Sequence, residues 1–152
     1  MIKEVKESQL LLLKSYGELY FHIAKMQQIS GARVTEILNI KLNDIGKNNV
    51  IYVNGLKSSN DYTIIYNEIE RIKTLSCCYD GYLFGHLNYT SVYRAYLKFG
   101  IVGTKKNNER RVVTHVFRNL IAREFHEKFK NENKTKTILH HKSKKSQINY
   151  LK

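Results

Sequence analysis

The chain has 152 residues, a formal net charge of +13, 42% hydrophobic residues, two cysteines and no proline. That length suits one domain with a single sizeable core, and no apolar run approaches the roughly 18 residues that a membrane span needs. Met1-Ile2-Lys3-Glu4 opens no secretory signal. Cys77 and Cys78 are adjacent, so they can neither staple distant segments nor supply the spacing of a zinc site, and they read as structural thiols of a cytoplasmic, reducing compartment.

The charge is unevenly spread. From Ile101 onward there are fourteen Lys and Arg against four Glu, so +10 of the +13 lies in the last third. Such a footprint fits a polyanion, most simply nucleic acid, although biased base composition would also yield a chain rich in Lys, Asn, Ile and Tyr.

In chain order, Leu12, Tyr16, Leu19, Ile23 and Met26 recur at spacings of three and four, which predicts one long amphipathic helix. Ser30-Gly31 ends it, and a shorter helix follows with Val34, Ile37 and Leu38 inward. Asn43-Asp44 and Gly46-Lys47-Asn48-Asn49 are turn chemistry. The β-rich runs Val50 to Val53 and Tyr62 to Tyr66 flank Gly55 and Ser58-Ser59-Asn60-Asp61, the pattern of an antiparallel hairpin. Ile69, Ile72 and Leu75 mark one further helix, and Val92, Tyr93, Tyr96 and Leu97 another. Residues 103–111 are polar and basic and read as a surface loop. Phe117, Ile121 and Phe125 form the core stripe of the next helix, and two short helices are expected near Lys134 to Leu139 and Lys144 to Leu151. The expectation is a single mainly α domain (α+β) over residues 1–152, with a small antiparallel β-sheet near residues 45 to 66.

His115 and Arg118 lie three apart, so they share one helix face just before the apolar stripe begins. A helix start offers unpaired N–H groups and the positive end of the macrodipole to an anion. Arg33, directly after Gly31-Ala32, is expected in the first turn of its own helix. Guanidinium forks bind phosphate oxygens bidentately and keep their charge at any physiological pH. Two such arginines with nearby histidines make a candidate phosphate clamp, although an isolated His-x-x-Arg is most often surface decoration. Near the C-terminus, His141 is followed nine residues later by Tyr150.

The order Arg33, Lys57, His115-x-x-Arg118, His141, Tyr150 resembles the catalytic domain of the tyrosine recombinases, the class of phage integrases and Xer-type resolvases. Gly31-Ala32-Arg33-Val34-Thr35-Glu36-Ile37-Leu38 is similar to that family's first arginine box. Lys57 falls in the hairpin where the family carries its lysine, and Leu139-His140-His141-Lys142-Ser143 resembles the Leu-Gly-His-x-Ser box that precedes the tyrosine. The resemblance runs from about residue 8 to the end. It implies a DNA breaking-rejoining fold and a site-specific recombinase or integrase that works through a 3′-phosphotyrosine intermediate on double-stranded DNA. In that role Tyr150 is the nucleophile, Arg33 and Arg118 hold the scissile phosphate, and His115 takes the tyrosine proton or bonds the phosphate. Lys57 protonates the leaving 5′-oxygen and His141 donates a further hydrogen bond. No metal and no other cofactor is implied, since the arginines supply the charge. The neighbouring cations Lys105, Lys106, Arg110, Arg111, Lys142, Lys144 and Lys145 are expected to contact the DNA backbone.

The chain departs from the family pattern at particular places. Asn119 stands where many members carry histidine, and His140 replaces the glycine before His141, which leaves His140 as an alternative ligand. The family's N-terminal core-binding domain is expected to be absent, and only Leu151 and Lys152 follow Tyr150. The isolated domain is therefore expected to be a monomer in the cytoplasm, associated with DNA, whereas a full-length protein would assemble a DNA-bound tetramer of protomers. Two other readings stay open. One is a non-catalytic DNA-binding regulator or remnant with the same fold; the other is a telomere resolvase or type IB topoisomerase-like enzyme. His22, His86 and His126 read as ordinary surface or core histidines, Tyr79, Tyr82 and Tyr89 as core and loop aromatics, and Glu36 as local support for Arg33.

Overall fold

A computed structural model describes residues 5–56, 60–101, 103–104, 111–112, 117–118 and 120–121. The chain opens with two helices, α1 (Glu7–Tyr16) and α2 (Glu18–Ser30). Gln9 fixes the start of α1: its Oε1 accepts from the Lys6 N–H at 2.7 Å, while its Nε2 donates to the carbonyls of Phe99 and Gly100. Gly17 separates the helices in an extended conformation, φ −169° and ψ 111°. A Cβ at Gly17 would stand 2.7 Å from the Tyr20 ring, so only glycine lets that ring close over the break.

The expected single long helix is thus two. The break resets the helical phase, so the stripe read across it is not one face: Leu12 and Tyr16 are 56% and 52% exposed, and Leu10 and Leu13 face the core instead.

Gly31 ends α2 in the left-handed region at φ 73°, where a side chain would be strained. After it comes the short helix α3 (Val34–Leu38), then a 3-10 turn at Leu42–Asp44, where the Asp44 carboxylate accepts from the Lys41 N–H at 2.8 Å. The hairpin is as expected: β1 (Val50–Val53) and β2 (Tyr62–Ile65) pair antiparallel, with Ile51 opposite Ile64 and Val53 opposite Tyr62. Period-2 alternation turns these four side chains inward and leaves Tyr52 and Ile65 to solvent. Asn48 and Asn49 make the turn before β1 at φ 61° and 63°, a conformation their short amide side chains tolerate.

Helices α4 (Ile69–Ser76) and α5 (Tyr89–Lys98) follow, and the Asn88 side chain caps α5 by accepting from the Ser91 N–H at 2.9 Å. The inward face of α5 is Val92, Ala95 and Tyr96. Tyr93, expected inside, is 39% exposed, off the buried face of α5. Tyr79 and Tyr89 are likewise exposed rather than packed inside.

The stretch expected to be all loop begins and ends in a second strand pair, β3 (Gly103–Thr104) with β4 (Arg111–Val112). Two residues per strand are too few to produce an alternation signal. Residues 117–118 and 120–121 are helical, with Phe117 buried against the Tyr96 ring in an edge-to-face contact at 6.1 Å. Phe125 and the two expected C-terminal helices lie outside the described residues. Among the described residues, no helix is long and apolar enough to cross a membrane.

A polar cluster ties α2 to the sheet and to α4. Buried His22 places Nε2 3.0 Å from Glu18 Oε2 and Nδ1 2.7 Å from the Tyr66 hydroxyl. A carboxylate can only accept, so the Nε2 N–H donates to Glu18, while Nδ1 and the Tyr66 hydroxyl share the second bond. Arg71 closes the cluster with two bonds to Glu18, at 2.9 and 3.0 Å.

Adjacent residues of β2 test the register. Ile64 is 3% exposed and Ile65 is 65% exposed. Ile64→Ala should lower unfolding stability in urea by about 2–5 kcal/mol, whereas Ile65→Thr should stay within about 0.5 kcal/mol of the parent. The polar cluster predicts a pH effect. Arg71 first, then His22, hold the Glu18 carboxyl down to about 2 from an ordinary 4.5. A folded value below the unfolded one stabilises fully above about pH 4.5 and is lost as the pH falls toward 2. Glu18→Gln should therefore lower the urea midpoint at neutral pH, and circular dichroism should show the gap closing in strong acid.

Candidate functional site

The strongest chemistry of the described chain gathers where α2 turns into α3. Arg33 is the N-cap of α3, with φ −78° and ψ 147°, one step before the first turn where it was expected. Its guanidinium is 6% exposed, and Nη1 donates to the Leu56 carbonyl at 3.2 Å and approaches Glu36 Oε2 at 3.5 Å.

Glu36 is the organising group. Its buried carboxylate accepts from the Arg33 N–H at 2.9 Å, the Leu56 N–H at 2.8 Å and the Tyr62 hydroxyl at 2.8 Å. The first bond caps α3, the second holds the loop that leaves β1, and the third reaches across to β2. Burial first, and the Glu36 charge second, push the Tyr62 hydroxyl far above its ordinary pKa, so it remains a donor at any physiological pH.

Arg118 comes from the far end of the described chain. It is fully buried, and its Nη1 donates to the Gly31 carbonyl at 2.7 Å. The left-handed φ of Gly31 turns that carbonyl, and Arg33 follows two residues later. One three-residue turn thus meets one arginine through its main chain and carries the other. Behind it, the buried Tyr96 hydroxyl contacts Gln27 Oε1 at 2.6 Å, and Gln27 Nε2 donates to the Ala32 carbonyl at 2.9 Å.

An open cavity of about 350 Å³ borders Glu36, Lys41, Tyr52, Leu56 and Tyr82, on the hairpin side of the carboxylate. Among the described residues, no three His, Cys, Asp or Glu side chains cluster as metal ligands.

Solved structures share this architecture. The crystal structure of XerA recombinase matches with a TM-score of 0.67 at 21% identity, over 99% of this chain and 60% of that one. XerH site-specific recombinase, in a post-cleavage complex with a palindromic difH substrate, matches with a TM-score of 0.69 at 15% identity, over 95% of this chain and 47% of that one. A lambda integrase dimer bound to a COC′ core site matches with a TM-score of 0.64 at 17% identity, over 95% of this chain and 56% of that one. The chain has the fold of a tyrosine-recombinase catalytic domain. The likeness is one of fold, and the chain spans roughly half to three-fifths of those longer proteins. No family model matches the sequence, and no curated protein does.

Within this recombinase fold, the two candidate arginines meet the same turn, and both are buried rather than displayed on an open basic surface. Lys57, His115, His141 and Tyr150 lie outside the described residues, as do Lys105, Lys106, Arg110, Lys142, Lys144 and Lys145. Arg111 is described only as the first residue of β4. Sequence reasoning anticipated Glu36 as support for Arg33 but missed Tyr62, Gln27 and Tyr96. The alternation of β2 could have found Tyr62, which shares the inward face with Ile64; nothing in the sequence links Gln27 with Tyr96.

Truncating Glu36 to alanine would remove the carboxylate beside the buried Arg33 guanidinium and the acceptor of the Arg33 N–H, the Leu56 N–H and the Tyr62 hydroxyl. It should cost about 3–5 kcal/mol in urea unfolding. Tyr62→Phe removes only one bond to the carboxylate and should cost about 1.5–3 kcal/mol. A smaller loss for Glu36→Ala than for Tyr62→Phe would contradict the central place given to the carboxylate.

Proposed function

We propose that the chain is the catalytic part of a DNA breaking and rejoining enzyme, a site-specific recombinase or integrase acting on double-stranded DNA of a mobile element. The observation that carries this reading is the meeting of Arg33 and Arg118 at one turn, in a fold shared with recombinases solved on DNA. The +13 net charge supplies the long-range attraction to a polyanion.

In the proposed reaction, the Tyr150 oxygen attacks the scissile phosphorus and its proton passes to His115. The bond from phosphorus to the 5′-oxygen breaks, and that oxygen takes a proton from Lys57. The products are a 3′-phosphotyrosine ester and a free 5′-hydroxyl. Arg33 and Arg118 stabilise the charge on the non-bridging oxygens as the phosphorane forms, and His141 adds a hydrogen bond. The ester keeps the energy of the broken bond, so a 5′-hydroxyl from a second strand reverses the attack. Lys105, Lys106, Arg110, Arg111, Lys142, Lys144 and Lys145 contact the DNA backbone. Alone, the domain acts as a monomer in the cytoplasm, associated with DNA; recombination takes a DNA-bound tetramer of the longer protein.

A second reading draws on the complete burial of Arg118 against a main-chain carbonyl. There the guanidinium is a structural tie, and the domain binds DNA without cutting it. For cleavage, by contrast, DNA docking must uncover a further edge of Arg118 while Nη1 stays on Gly31.

Covalent capture separates the two. The 152-residue chain is incubated with a pool of nicked suicide duplexes, randomised around the nick, and denaturant-resistant adducts are collected and sequenced. Cleavage predicts an adduct that vanishes in Tyr150→Phe and falls about 100-fold or more in Arg33→Ala and Arg118→Ala. Salt-sensitive binding without any adduct supports the non-cutting reading.

A further inference from the structure

We infer that Gln27 and Tyr96 are positioning residues, a buried two-bond relay that sets both arginines by fixing the turn between them. The bonding has only one consistent direction. The Ala32 carbonyl can only accept, so the Gln27 amide must present Nε2 to it, at 2.9 Å. Oε1 then faces Tyr96, and the Tyr96 hydroxyl must donate, at 2.6 Å. Burial raises the Tyr96 pKa well above its ordinary value, so this donor is never lost to ionisation in the physiological range.

Both side chains are fully buried, and the relay joins α5 to α2 across 69 residues. Its end point is decisive. Ala32 stands between Gly31, whose carbonyl binds Arg118, and Arg33, whose guanidinium sits on Glu36 and Leu56. Holding the Ala32 carbonyl limits rotation of the peptide units on either side, and with it the aim of the Gly31 carbonyl and the start of α3. A second pair of bonds braces the same turn from α2: Ser30 Oγ donates to the Met26 carbonyl at 2.6 Å and accepts from the Ala32 N–H at 3.1 Å. Ala32 is therefore held at both its N–H and its carbonyl, which belong to the two peptide units on either side of it. Tyr96 also packs edge-to-face on Phe117, the residue immediately before Arg118, so one side chain touches both ends of the arrangement. Small displacements of groups that hold a reacting phosphate carry large rate penalties.

The catalytic consequence rests on the DNA-cleaving role proposed above; the positioning itself does not. The test therefore has two arms. The variant Tyr96→Phe leaves Gln27 Oε1 without this donor, and the double variant Gln27→Leu/Tyr96→Phe replaces both side-chain partners by apolar groups, so that only the Ala32 carbonyl loses its Gln27 donor. The double variant should melt no more than about 10 °C below the parent, so it stays folded at the assay temperature.

In the first arm, ¹⁵N spectra of the arginine side chains, recorded without DNA, should show a distinct, slowly rotating Arg118 guanidinium in the parent. That signal should collapse into the averaged envelope in both variants. In the second arm, the cleavage rate of a captured suicide duplex should fall about tenfold to 100-fold in both variants. Duplex affinity should stay within about twofold, the split that marks loss of transition-state alignment rather than of binding. On a duplex whose scissile non-bridging oxygen is replaced by methyl, less charge needs neutralising, and the deficit should shrink.

An unchanged Arg118 signal with unchanged cleavage overturns the inference. So does an equal loss on phosphate and methylphosphonate duplexes, or a loss of affinity matching the loss of rate. Absence of any adduct from the parent protein instead defeats the DNA-cleaving role, while the spectra still decide whether the relay positions Arg118.

Discussion

Everything at the centre of this domain is constrained by the need to keep buried charge satisfied. Arg33, Glu36 and Arg118 are all removed from water, and each would be costly to bury without partners. The solution is a single turn, Gly31 to Arg33, whose carbonyl, amide and side-chain groups meet α2, α3, the hairpin and the segment around residue 118. Glycine is required at its start, because the carbonyl that Arg118 needs is aimed by a left-handed φ of 73°. The hairpin is then fastened by the same carboxylate that caps α3, through Leu56 on one strand's exit and Tyr62 on the other strand. Fold and candidate site share the same bonds.

That sharing explains which parts of the structure were legible in the sequence. The hairpin was, because β-rich runs and turn residues act within a few positions: the strands fall at Val50–Val53 and Tyr62–Ile65, inside the two runs, although the runs alone did not assign which side chains face inward. The α2–α3 corner was also legible, since Ser30-Gly31 breaks a helix locally. The first helix was misread because Gly17 was passed over within an apparently continuous stripe, and an extended glycine shifts the phase of everything before it. Tyr93 was misassigned for a related reason: apolarity marked it as inward, whereas Val92, Ala95 and Tyr96 are the buried residues of α5. The β3–β4 pair carries only two residues per strand and leaves no pattern to read.

The candidate site divides in the same way. Arg33, Arg118 and Glu36 were singled out from short boxes, and the fold brings all three to one corner, with Glu36 in the supporting role expected of it. Their partners were not legible. Gln27 looks like an ordinary polar helix residue and Tyr96 like an ordinary core aromatic. Their bond joins α2 to α5, and only the three-dimensional packing sets that distance. Hydrogen bonds between side chains 69 residues apart depend on the completed fold, not on local spacing. Burial of the arginines was invisible for the same reason: a motif gives the type of residue and not its solvent exposure.

The choice of arginine over lysine at position 118 follows from this geometry. An ammonium is a compact point charge with strongly held water, so burying it fully costs more than burying a guanidinium. A guanidinium spreads its charge over a rigid plane with five donors, so one edge can bond the main chain while another is aimed elsewhere. With Nη1 fixed on the Gly31 carbonyl, the plane of the group is set by the turn rather than by its own flexible stem. A structural tie and the phosphate contact proposed for Arg118 are then compatible duties of one side chain. The bond that anchors the turn also restrains the guanidinium, which would serve the bidentate phosphate contact proposed for it. Stability and chemistry cannot be separated by replacing Arg118 itself; they can be separated only one step back, at groups that steer the turn without carrying charge.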